Sequence, residues 1–146
     1  EMAKAREKEA QVEQARKSEL EAVSRGEADG VESAEDYAKK GRELYKTWTE
    51  SKEDSILEES IAWLKGALAL KEESPKNHYT LALVYIEEAT AGKEGARDKA
   101  RTHLKRVLQL EPEEKLKANA TQLLSTLTVD SEKDKNRYKR RTPSPE

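Results

Sequence analysis

Two imidazoles, several adjacent carboxylates, a short glycine pair and a basic run near the end are the side chains of this sequence that could do chemistry. His78 and His103 lie 25 residues apart, with no cysteine in the chain and no local His-x-x-His or His-Glu-x-x-His. Zinc needs convergent ligands, and this spacing supplies none locally. The pairs Glu58/Glu59 and Glu87/Glu88 could in principle exchange protons. Neighbours on a helix diverge by about 100°, however, so such pairs read as solvated faces. Gly92 and Gly95 lack the Lys-Ser/Thr that a phosphate-binding loop requires. No nucleophile–base set can be assembled, so the sequence reads as a protein without catalytic residues, metal or cofactor, and with no small-molecule substrate.

The basic run offers different chemistry. Lys133, Lys135, Arg137, Lys139, Arg140 and Arg141 surround a single acid, Asp134. Such a cluster can contact phosphates or serve as a nuclear-import address. Thr142-Pro143 and Ser144-Pro145 resemble proline-directed phosphorylation sites, where phosphate would offset the neighbouring positive charge. Nucleic acid is therefore one partner class this stretch suits.

The elements around these residues are helical. Charged residues make up 40% and hydrophobic residues 34%, with no Phe, so any core is small and built from Leu, Ala, Val, Ile, Tyr and Trp. That profile favours helices over sheets. The net charge of -2 selects neither nucleic acid nor membrane. No apolar run reaches the roughly 18–20 residues needed to span a bilayer, and the charged N-terminus lacks a signal-peptide core. Zero cysteines fit a reducing, intracellular setting, cytoplasmic or nuclear.

Residues 1–25 hold six Lys/Arg and six Glu, with only Val12, Leu20 and Val23 able to bury much, which predicts a solvated helix. Residues 26–32 form an acidic linker punctuated by Gly26 and Gly30. Ser33-Ala-Glu-Asp36 and Ser55-Ile-Leu-Glu58 both have the form of a helix start. The first would open a helix burying Tyr37, Gly41, Leu44, Tyr45 and Trp48. The second would open one with Leu57, Ile61, Leu64 and Leu68 on one side. Ser74-Pro75 starts a helix that is apolar nearly all round from Tyr79 to Ile86, so other helices should cover it on more than one side. Ala100, Leu104, Val107 and Leu108 form the next stripe, and Leu116, Ala120, Leu123 and Leu127 the last. Residues 129–146 are expected to be a disordered basic tail.

Laid on itself, the chain matches at a shift of about 40 residues: SIAWLKGALAL (60–70) aligns with ARTHLKRVLQL (100–110), Leu64 with Leu104 and Leu68 with Leu108. His78, Leu81, Ala82 and Tyr85, then Ala100, Leu104, Val107, Leu108 and Pro112, resemble the two helices of a tetratricopeptide repeat. Tyr37, Gly41 and Leu44, then Ser60, Leu64, Ala67 and Leu68, resemble an earlier copy. The shift exceeds that family's 34-residue period, and both insertions fall between the helices of a pair, at 45–59 and 86–99. The resemblance implies an all-α fold: a short right-handed superhelix of antiparallel helix pairs over residues 33–128, with a capping last helix and an extra N-terminal helix.

In that family the first helices of successive repeats line a groove that holds a partner segment. By position, the resemblance would place Lys39, Arg42, Tyr45 and Lys46, then Lys76, Tyr79, Thr80 and Leu83, then Asn119 and Leu123 along one basic, partly aromatic trough. Such a trough suits an acidic peptide or helix. The phrase AKKGRELYK (38–46) also resembles the chaperone-binding subgroup, in which a Lys and an Asn clamp a carboxylate. Here Ala38 and Arg42 stand at those two positions. The expected function is a protein–protein interaction scaffold. An RNA-associated factor using the basic tail and a purely structural subunit are the alternatives.

Overall fold

Ser33 and Ser74 stand just outside helices and accept from the backbone N–H of Asp36 (3.1 Å) and Asn77 (3.3 Å), satisfying donors that a helix start leaves free. Pro75 follows at the first helical position, where its missing N–H costs nothing. The structure is a computed structural model that describes the backbone of residues 2–141 and the side chains of residues 4–128. Six helices make it up: α1 (Met2–Ser24), α2 (Ala34–Ser51), α3 (Asp54–Leu70), α4 (Pro75–Thr90), α5 (Ala96–Gln109) and α6 (Glu114–Arg141). No strand occurs among the described residues.

The helices pack as antiparallel neighbours, α2 on α3 and α4 on α5, with α3 against α4 and α5 against α6. Leu64, Leu81, Val84, Leu104 and Val107 are completely buried in a core shared by α2 to α6. His78, Leu81, Ala82 and Tyr85 are buried within the stack. Both insertions are taken up largely by helix length: α2 runs to Ser51 and α4 to Thr90.

Three features differ from the sequence reading. The expected start at Ser55 is not one: α3 begins at Asp54, with Glu53 as its cap and no side-chain cap bond. Lys52 ends α2 in the left-handed conformation (φ 58°), its N–H bonded to the Trp48 carbonyl. Only two residues then separate the helices, so Ser55 falls inside α3. Helix α6, expected to stop near Leu127, keeps helical backbone through Arg141. Its Lys, Glu and Arg content favours helix locally even without an apolar face.

Helix α1 is the third difference, because its C-terminal end is docked rather than solvated. Val23 is buried with Tyr37, Ala38, Ala62 and Ala67, and Leu20 packs at the margin. Arg16 reaches across to the Glu58 carboxylate (3.2 Å) and the Ser55 carbonyl (3.0 Å). The approach depends on Gly66: a Cβ there would collide with the Val23 carbonyl and the Tyr37 ring. The linker is pinned as well, since the Ala28 N–H donates to the Tyr37 hydroxyl (2.7 Å). Tyr37→Phe would strip that half-buried N–H of its acceptor, and urea denaturation should show a loss of about 1–2 kcal/mol.

Candidate functional site

Part of the trough expected along α2, α4 and α6 comes together in one cleft. Lys76, Tyr79, Thr80 and Leu83 from α4 and Asn119 from α6 line one cleft of about 560 Å³. Positions 76, 79, 80 and 83 share one face of α4, as helical periodicity requires. Pro75, Pro112, Glu113, Lys115 and Leu116 complete the lining, and none of them was expected there. Lys115 was legible in principle, standing one turn before Asn119 on the same face of α6.

The expected residues of α2 are not among those lining this cleft, although Tyr45 stands near Tyr79 on its wall. The Tyr45 hydroxyl donates to the Glu87 carboxylate (3.3 Å), tying α2 to α4. Burial first, and then the Glu87 charge, push that phenol up to about 12. Tyr45 also stacks on Trp48, with ring centroids 6.1 Å apart. Arg42 is taken up by Glu35 (3.2 Å), and Ala38 is completely buried, so the two positions where a carboxylate clamp would sit present no such pair. Lys39 and Lys46 are exposed and line no part of the cleft. Leu123 is half-buried against the core instead.

Within the α4/α6 cleft the floor is apolar and the rim is charged. Tyr79, Leu83 and Leu116 are half-buried, while Lys76 and Lys115 are exposed from opposite walls. Neither ammonium forms an ion pair with a described residue, in contrast to Arg16, Arg42, Lys93 and Arg106. Glu113 supplies one opposing charge on the rim. Thr80 spends its hydroxyl on the Lys76 carbonyl (3.0 Å), which leaves its methyl for the floor. The cleft can therefore enclose an apolar side chain and attract negative charge at its edges.

A second cleft, of about 230 Å³, opens between α1 and the α3–α5 side. Its charged lining alternates, with Glu21, Glu58 and Glu88 against Lys65, Lys93 and Lys99. Glu88 is only 5% exposed and accepts from the Lys93 ammonium at 2.9 Å, so its charge is compensated where it is buried. Burial first, and then Lys99, lower the Lys65 ammonium below its ordinary value. The balanced signs favour no ligand of either charge.

Among the described residues no cluster of three or more His, Asp or Glu could hold a metal ion, and no helix is long and apolar enough to cross a membrane. The side chains of residues 133–141 lie outside the described ones, as do Thr142 and Ser144 altogether. Comparison with protein-family models, with curated proteins and with solved structures returns no significant match to this chain.

Proposed function

We propose that this chain is a tetratricopeptide-like, non-enzymatic interaction module that grips a partner segment in the α4/α6 cleft within a larger assembly. One observation carries the reading: two lysines that form no ion pair with a described residue stand on opposite walls of a half-buried apolar floor. An apolar surface held between helices and rimmed by two lysines against one glutamate matches a segment with an apolar anchor flanked by acidic residues. The packing of paired antiparallel helices and the self-match at about 40 residues support the repeat interpretation.

The test is binding of fluorescent peptides carrying Leu or Met flanked by Asp and Glu, with Lys-flanked versions as controls. Reversing both rim charges, Lys76→Glu with Lys115→Glu, should weaken acidic-peptide binding by about tenfold, since exposed charges are worth up to about 1 kcal/mol each. It should also flatten the salt dependence of the association rate. Unchanged binding by the double variant, or equal binding of the Lys-flanked controls, would sink the proposal.

A second reading rests on the six basic residues between 133 and 141, which continue the helical backbone of α6. An RNA contact there would be lost on deleting residues 133–141 and would weaken steeply with salt. The Lys76/Lys115 variant would leave it intact.

A further inference from the structure

His78 of α4 and His103 of α5 meet Nδ1 to Nδ1 at 2.9 Å. The other nitrogen of His78, Nε2, lies 2.8 Å from the Glu72 carbonyl oxygen. A carbonyl only accepts, so His78 Nε2 carries a proton. With His78 neutral, its Nδ1 is then a bare lone pair, and the proton between the rings must belong to His103 Nδ1. Each ring is thereby held to one tautomer. Rotation is also restrained, because His78 is only 5% exposed and His103 stacks on Tyr85 with planes 17° apart.

We propose that the His78–His103 pair is a one-proton latch on the α4–α5 seam, closed while the two Nδ1 atoms share a single proton and forced apart when His78 takes another. A first added proton can go to His103 Nε2 and leave the shared bond intact. The next available position is His78 Nδ1, which would set two N–H groups head to head across the same short gap. The surroundings resist that charge. Arg106 and Glu72 stand beside His78 and are ion-paired to each other at 2.9 Å. Lys65 faces His103 from α3, and Tyr85, with the Lys99 ammonium 5.6 Å above its ring, faces it from α4. From α6 the residues packed against this core are Leu116, Ala120, Leu123, Leu124 and Leu127, which offer no counter-charge. Consistently, burial first, and then His78 and Lys65, hold His103 at about 4, and burial also lowers His78.

The sign of the pH effect follows. The unfolded chain takes up protons at the ordinary histidine value of about 6.5, whereas the folded chain resists them. The stability contributed by the neutral pair is therefore complete above about 6.5 and is lost as pH falls from there toward the folded values. Opening should begin at the first turn of α4 and at the Glu72–Arg106 bond beside it.

The experiment is nitrogen NMR of both imidazoles in the whole chain, with amide hydrogen exchange, from about pH 8 to about pH 3. At the upper end His103 should show the Nδ1–H tautomer and His78 the Nε2–H tautomer. On acidification the shared bond should break more than about one unit below 6.5, together with faster exchange in the first turn of α4. His103→Phe, which keeps a ring against Tyr85 but cannot titrate, should remove the steep acid dependence of that exchange. A neutral Nε2–H tautomer of His103 at the upper end, independent titration of both rings near the ordinary value, or the same acid opening in the variant would each overturn the latch. Should the variant not fold, the tautomers of the unaltered chain decide the question alone.

Discussion

Gly66→Ala should detach α1 from the rest of the molecule, at a cost of about 2–3 kcal/mol in denaturant unfolding. The added Cβ would run into the carbonyl oxygen of Val23 and come within 2.6 Å and 2.8 Å of two Tyr37 ring carbons. A flexible side chain could retreat from such a clash, but the carbonyl belongs to the last turn of α1 and can move only with the helix. Tyr37 is equally fixed, being completely buried and bonded to Ala28. Replacing a helical glycine by alanine ordinarily stabilises by about 1 kcal/mol, so a net loss would show that the close approach outweighs propensity. Limited proteolysis should report the change first, as cleavage between residues 24 and 34 while α2 to α6 stay intact. Cleavage no faster than in the unaltered chain would show that α1 does not depend on this contact.

Leu64→Ala and Leu104→Ala should each cost about 3 kcal/mol, within the usual range of about 2–5 for truncating a buried leucine. The two leucines occupy matching places in the self-alignment, on α3 and α5, and both are 0% exposed. They also belong to one continuous core that runs from Trp48 on α2 to Leu127 on α6. Both variants should therefore unfold in a single transition followed by circular dichroism, with the midpoint lowered by similar amounts. Two separate transitions in either variant would mean that the α2/α3 and α4/α5 pairs are independent.

These outcomes bear on how far the sequence could be read. Helix stripes and the Ser33 and Ser74 caps were legible because they depend on local spacing and on a hydroxyl within three residues of its N–H. Ser55 misled because the same spacing gives way to Lys52, whose left-handed backbone closes α2 and leaves two residues before α3. The docking of α1 was hidden for a different reason. It rests on the absence of a side chain at Gly66, and Val23 looks like an isolated hydrophobe until the fold brings α3 beside it. In the cleft, the residues of α4 together with Asn119 follow from helical periodicity and the repeat resemblance. That Lys39, Arg42, Tyr45 and Lys46 are not among its lining residues does not, because it depends on how α2 packs on distant parts of the chain, as in the bond from Tyr45 to Glu87.

The two tryptophans of the chain divide between its two cores. Trp48 sits in the main cluster beneath the Lys52 ammonium, 4.1 Å from the ring centre. Trp63 packs against the smaller cluster that holds α1, with the Lys40 ammonium 4.9 Å above it. One intrinsic fluorophore thus reports on each cluster, both in the same kind of cation-capped setting. Single-tryptophan forms would let emission follow the release of α1 and the melting of the helix stack as two separate signals, without any attached label.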